Sequence, residues 1–224
     1  MALMRDAANS SETPDERKRR ARKILRCLDR DYPVAECALR HRNAWELLVA
    51  TILSAQCTDA RVNKVTPELF AAYPSVQEMA LASLESIEEL VRTTGFFRNK
   101  SKSIKGAAQR IVSEYGGEVP SRMEQLLTLP GVARKTANVV TGTWFGKATG
   151  VVVDTHVQRI SERLGLTAGK DPKKIERVLM ELLPKTRWVK YSHQIIHHGR
   201  GVCKARQPRC QDCGLARLCP SAET

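Results

Sequence analysis

Leu129-Pro130-Gly131-Val132-Ala133-Arg134-Lys135-Thr136-Ala137-Asn138 is the stretch whose reading decides the fold of this chain. Pro130 and Gly131 make a tight turn between two helices. Upstream, Ser121-x-x-Glu124 has the form of a capping box that opens a short helix over RMEQLLT. Downstream, Arg134 and Lys135 fall in the first turns of the second helix. The backbone N–H groups of the turn and of that helix start face outward as donors. They make an anion site that suits a DNA phosphate and reads no base sequence. A proline-glycine turn alone joins many helix pairs, so the whole string LPGVARKTA carries the weight.

Working outward, every other element reads as helix. Thr13-Pro14-Asp15-Glu16 offers an N-cap, a first-turn proline and acids beside the positive dipole end. The basic run 16–23 is then the solvated or DNA-facing side of that helix rather than a localisation signal. Ala44–Gln56 is strongly apolar and reads as a buried helix. Thr66-Pro67-Glu68 reads as another helix start, and Ser86-x-x-Glu89 as a capping box before an amphipathic segment ending near Gly95. Asp171-Pro172 and Pro184-x-Thr186 punctuate two late helices. The run Val151–Val153 has strand propensity but no partner strand, so it reads as extended chain leading to a helix capped by Asp154. The fold class is all-α, with residues 1–12 as a flexible tail.

The chain has 224 residues, 42% of them hydrophobic, which supports one large domain or two small ones. No stretch approaches the roughly 20 apolar residues of a membrane helix. The first 23 residues hold no apolar core of a signal peptide, so a cytoplasmic location without a signal peptide is expected. A net charge of +13 is the footprint of a polyanion partner. Aromatic residues make up only 5%, which favours duplex binding over a stacking platform for single strands.

Seven cysteines are present, an odd number that fits a reducing compartment. Four of them, Cys203, Cys210, Cys213 and Cys219, form a C-x6-C-x2-C-x5-C loop. Four thiolates in one loop need a cation or bonds to offset their charge. Only one tight pair is present, whereas zinc fingers use two. The spacing alone leaves zinc and an iron–sulfur cluster both open, with disulfides behind them.

Taken together, LSAQCTDARV (53–62), LPGVARKTANVV (129–140), VDTHVQR (153–159) and the cysteine loop resemble the endonuclease III family of helix-hairpin-helix DNA glycosylases. In order and spacing they span the chain from about residue 16. The resemblance implies a six-helix barrel over 37–148, with the helix-hairpin-helix at about 121–145. It also implies a cluster domain built from 13–36 and 149–224, and a DNA-binding cleft between the two. The four cysteines would hold a [4Fe–4S] cluster. The activity implied is a bifunctional glycosylase and AP lyase of base excision repair. It would act as a monomer, associated with the nucleoid, on oxidised pyrimidines and abasic sites in double-stranded DNA. One departure is Ala133, where the family has a second hairpin glycine.

The resemblance also assigns roles. Lys135 is the nucleophile toward the sugar C1′, forming a Schiff base. Loss of water and a positive helix end both favour a neutral, attacking amine. The alternative for Lys135 is an ordinary surface or phosphate-binding lysine. Asp154 is the catalytic aspartate, which steadies positive charge and assists proton transfer, or else a helix cap only. His156 is read as packed or hydrogen-bonded. Gln56 is the inserting polar side chain and Phe96 the candidate apolar wedge, although Phe96 and Phe97 both also suit a core anchor. Gly131, Ala133 and Arg134 supply the hairpin's DNA contacts. Lys204, Arg206 and Arg209 are phosphate contacts on the cysteine loop. The adenine-glycosylase relatives place a glutamate where this chain has Thr51, and they lack the lysine.

Overall fold

Thr13 starts the first helix as the sequence leads one to expect. The computed structural model describes residues 12–223. Helix α1 (Pro14–Asp31) opens with a complete capping box: Glu16 N–H donates to Thr13 Oγ1 and Thr13 N–H to the Glu16 carboxylate. Of the expected tail, residues 1–11 lie outside the described residues. Glu12 is described, and it is ion-paired with Arg20 at 2.7 Å.

The described chain divides into two compact units, Cys37–Thr149 and a second built from the residues up to Glu36 together with those from Gly150 onward. The Cys37–Thr149 unit holds α2 (Ala44–Leu53), α3 (Asp59–Ala72), α4 (Val76–Leu81), α5 (Leu84–Val91), α6 (Phe97–Tyr115), α7 (Met123–Leu126) and α8 (Arg134–Thr143). All ten residues of α2 are buried, so α2 is the central rod of this unit. It shares one hydrophobic core with Val62, Leu69, Met79, Ile87, Ile104 and Val140.

Three helix starts differ from their sequence reading. α3 begins eight residues before Pro67, capped by Thr58, whose Oγ1 accepts from Arg61 N–H. Its buried Val62, Val65, Thr66 and Leu69 follow the i, i+3, i+4, i+7 rule, so core packing carries the helix through a proline that costs about 3 kcal/mol in isolation. α5 is capped by Ser83, which leaves Ser86 inside the helix, where its hydroxyl accepts from Tyr73. α7 has Arg122 at its cap with no side-chain bond, and Ser121 instead accepts from Lys147 Nζ. Helix α2 also ends at Leu53, three residues short of Gln56.

The second unit gathers α1 with α9 (Thr155–Arg163), α10 (Pro172–Leu182) and α11 (Trp188–Gly201). Its core is formed by Ile24, Leu28, Val157, Ile160, Leu179, Tyr191 and Ile195. Val151 and Val153 are buried in extended chain, and Val152 N–H donates to Ser192 Oγ rather than to a neighbouring strand. No strand is present among the described residues. α9 and α11 approach so closely that a Cβ at Gly199 would stand 2.7 Å from the His156 ring and 2.8 Å from Ile160. That contact fixes the start of α9, where Asp154 sits.

Candidate functional site

The turn between α7 and α8 is built against α6. Val132 N–H donates to Leu129 O, closing the turn at 3.1 Å. Gly131 has φ +75°, and a Cβ there would lie 2.5 Å from Ser103 Cβ. Glycine is required both by the left-handed backbone and by the lack of space. Ala133 has φ −94° and ψ 172°, ordinary extended backbone. Alanine therefore follows the hairpin path without strain, and the departure from the family glycine leaves the turn geometry intact. Alanine also has no capping oxygen, and α8 begins with no side-chain cap. A helix start without a side-chain cap suits an outside anion.

Arg134 and Lys135 are the first two residues of α8, and both are exposed. The desolvation expected for Lys135 from the sequence is thus absent in the free protein. Behind them Asn138 is buried, its Oδ1 accepting from Thr149 Oγ1 at 2.9 Å, which steadies the helix under the lysine. Thr51 is also buried and its hydroxyl is used up within α2, donating to Leu47 O at 2.7 Å.

Gln56 and Phe96 share a property the sequence does not reveal. Among the described residues they are the two non-glycine residues with positive φ, +52° and +48°. Each such conformation costs about 1–3 kcal/mol and persists where the surroundings impose it. Both side chains are exposed, Phe96 by 64%. Phe97 packs against the core instead. Of the two adjacent phenylalanines, Phe97 is the anchor and Phe96 is presented to solvent.

Asp154 caps α9. Its Oδ1 accepts from the N–H groups of His156 and Val157, at 2.9 and 2.8 Å. Its Oδ2 lies 3.1 Å from His156 Nδ1. The Asp154 side chain is 18% exposed, with Oδ1 taken by two backbone N–H groups and Oδ2 facing the His156 ring. Being a cap and being a reactive carboxylate are compatible here, because they use different oxygens. His156 is hydrogen-bonded and packed.

Cys203, Cys210, Cys213 and Cys219 all line one small cavity of about 30 Å³, partly open to solvent, with Leu164, Val202, Pro208 and Leu215 as apolar walls. No disulfide joins any of the four. Burial pushes the thiols of Cys213 and Cys219 up, and the neighbouring cysteines add to the rise. Clustered thiolates need a cationic partner in such a place. Among the described residues, however, no group of three or more potential ligands is arranged to hold a single metal ion. Four cysteine sulfurs around one cavity are the donor set of an all-thiolate centre, which suits an iron–sulfur cluster as well as a metal ion.

Two residues around this cavity escaped the sequence reading. Arg163 Nη1 donates to Cys203 Sγ at 3.2 Å and to Lys204 O at 2.8 Å, while Nη2 donates to Ala205 O. His198 Nε2 lies 3.7 Å from Cys213 Sγ, and its Nδ1 is 3.0 Å from the Tyr32 hydroxyl. Both lie outside the cysteine motif, and no local spacing marks them. On the loop itself Lys204 and Arg206 are exposed. Arg209 is exposed too, but its Nη2 donates to Gly201 O at 2.9 Å, so it also staples the loop.

Residues 49–185 match the HhH-GPD superfamily of base excision DNA repair proteins. The endonuclease III of Synechocystis sp. is 59% identical over 92% of this chain and 94% of its own length. A structure of a non-covalent endonuclease III–DNA complex superposes with a TM-score of 0.87 at 43% identity, covering 92% of this chain and 96% of that one. A structure of a trapped endonuclease III–DNA covalent intermediate gives 0.86 at 42% identity, with the same coverage.

Proposed function

This chain belongs to the HhH-GPD superfamily of base excision DNA repair proteins and, within it, to the endonuclease III family; from that premise we propose how its residues divide the work. The chain is a DNA glycosylase with AP lyase activity, acting on double-stranded DNA. Lys135 is the nucleophile. Its neutral amine attacks C1′, the N–C1′ bond forms, and the glycosidic bond breaks, the base leaving with the electron pair and gaining a proton. The sugar ring then opens at C1′–O4′ with a proton delivered to O4′, giving the protonated imine. Removal of a C2′ proton expels the 3′ phosphate by β-elimination, and the strand is cut 3′ to the lesion.

Lys135 is exposed in the free protein, so the loss of water that frees its amine comes with the bound DNA. The positive end of α8 adds to the effect. Asp154 steadies the cationic sugar and takes or gives a proton through its carboxylate. The uncapped start of α8 and the Gly131 turn bind a phosphate beside the lesion, with Ala133 and Arg134 on that surface. Lys204, Arg206 and Arg209 add phosphate contacts. The extruded base leaves a gap in the stack, which Gln56 and Phe96 fill.

We infer that Cys203, Cys210, Cys213 and Cys219 hold a [4Fe–4S] cluster. Bound there, it offsets the thiolate charge and pins the loop that carries Lys204 and Arg206. Oxidised pyrimidines are the proposed substrates, with one chain as the working unit. Among the described residues no helix is long and apolar enough to cross a membrane, in keeping with an enzyme that works on DNA in the cytoplasm, at the nucleoid.

The observation that most supports the assignment of Lys135 is its place as the second residue of an uncapped, exposed helix start just after the Gly131 turn. Borohydride trapping on duplexes carrying thymine glycol or an abasic site tests it. A covalent adduct is expected from wild type and none from Lys135→Ala. An adduct from both proteins gives the nucleophile to another amine. No adduct from folded wild type leaves a DNA-binding protein or a glycosylase without lyase activity.

A further inference from the structure

Lys100, near the start of α6, is only 5% exposed. A buried lysine normally has a carboxylate for a partner. Here Nζ donates instead to two neutral main-chain acceptors, Leu53 O at 2.8 Å and Thr94 O at 2.7 Å. Leu53 is the last residue of α2, and Thr94 the last of the 3₁₀ turn Arg92–Thr94. Carbonyls at helix ends have no donor within their own helix and carry the negative end of its dipole. The ammonium sits where two such ends meet. Burial pushes its pKa below the usual lysine range, a shift the nearby Cys57 thiol opposes.

This is a costly way to fill a core. An apolar side chain of the same length avoids the desolvation of a cation. What Lys100 does achieve is a fixed geometry between two loops. Leu53 stands three residues before Gln56, and Thr94 two before Phe96. The backbone N–H of Lys100 also donates to Phe96 O at 3.1 Å. One residue therefore ties together the two loops that carry the two left-handed, exposed side chains.

We propose that Lys100 is a positioning residue for base extrusion: it locks the Leu53–Gln56 loop to the Thr94–Phe96 loop so that Gln56 and Phe96 enter the duplex as one preset pair. The proposal rests on the reading of Gln56 and Phe96 as the inserting residues. It explains how two strained backbones are held, since neither loop contains the group that restrains both.

The test places 2-aminopurine opposite a tetrahydrofuran abasic analogue and follows the rise in its fluorescence when the protein binds. Gln56→Ala and Phe96→Ala are each expected to reduce that rise. Lys100→Met is expected to stay folded, with a modest fall in melting temperature because Leu53 O and Thr94 O lose their donor, and unchanged affinity for undamaged duplex. Its affinity for the abasic duplex should fall by about tenfold, within the range seen for groups that share partners. Its fluorescence rise should fall as well, and Gln56→Ala should cost less in the Lys100→Met background than in wild type.

If neither Gln56→Ala nor Phe96→Ala changes the signal, the insertion reading fails and the proposal fails with it. If both do and Lys100→Met behaves as wild type, or its effects simply add, the role of Lys100 alone is overturned. Lys100→Gln, which keeps two N–H donors, takes the same assay should Lys100→Met not fold. Loss of the fold in both variants also overturns the proposal, because Lys100 would then be holding the core rather than the loops.

Discussion

Gly131 and Ala133, two residues apart in one turn, make opposite demands on their side chains. Gly131→Ala adds a Cβ at φ +75° and 2.5 Å from Ser103 Cβ. The expected cost is about 1–3 kcal/mol of stability. Affinity for undamaged duplex should drop with it, because the turn's N–H groups must shift to relieve the contact. Ala133→Gly restores the family residue at a position whose backbone is already extended. Its expected effect is a stability loss within about 1 kcal/mol and no change in affinity. Thermal melting and duplex titration of the two variants check both statements. Equal losses would show that the turn, not the individual angle, sets the anion site. The motif residues were legible in the sequence because a turn, a cap and a cysteine spacing are local. The left-handed angles of Gln56 and Phe96 were not, since nothing short-range distinguishes a glutamine or phenylalanine that its surroundings will strain. Lys100 and Arg163 were hidden for a related reason: their acceptors Leu53 O and Cys203 Sγ lie 47 and 40 residues away in sequence.

Helix starts show where local reading succeeds and where it misleads. Thr13 and Asp154 cap as expected, and Asp171, read as punctuating a late helix, caps it too, each with its side chain accepting from the helix it begins. Thr66-Pro67-Glu68 copies that pattern in mid-helix, and Ser86 and Ser121 copy half of it. The difference is tertiary: a buried face running through Val62, Val65 and Leu69 overrides the proline. The docking of α1 onto α11 has its own consequence. Asp29 of α1 receives both Arg187 nitrogens at 2.7 Å, Gln194 at 3.1 Å and Lys190 at 3.2 Å. The Arg187 guanidinium holds the Asp29 carboxyl at about 2, below its ordinary 3.8. A carboxyl whose pKa is lowered by folding stabilises the fold above its unfolded value and loses that stabilisation as the pH falls. The contribution is therefore whole above about pH 4 and fades between about pH 4 and 2. Asp29 is over a third exposed, so screening limits it to about 0.5–1 kcal/mol. Asp29→Asn should melt below wild type at neutral pH, with the gap closing as the pH drops under 4. A gap that stays constant with pH would assign the effect to packing rather than charge.

Each unit has a hydrophobic core of its own, and only one of them includes the cysteine loop among its packed residues. Cys203, Cys213, Cys219 and Leu218 lie against the core formed by α1, α9, α10 and α11. The loop's other ties are polar, running through Arg163 and Arg209 to loop and helix-end carbonyls. A loop with short 3₁₀ turns and four part-buried thiols has little to hold it once a group that offsets their charge is gone. The core of α2 to α8 contains none of these residues. Oxidative removal of the proposed cluster should therefore loosen one unit and spare the other. Hydrogen exchange followed by mass spectrometry is the measurement. Amides of residues 199–219 and of the facing turns of α9 and α11 should exchange at least about tenfold faster, which corresponds to about 1.4 kcal/mol of lost local stability. Amides of α2 and α6 should keep their protection. Equal loss across all helices would mean that the two cores fold as one cooperative body. No loss in either would mean that the four cysteines do not depend on a bound group, and the [4Fe–4S] proposal would fall.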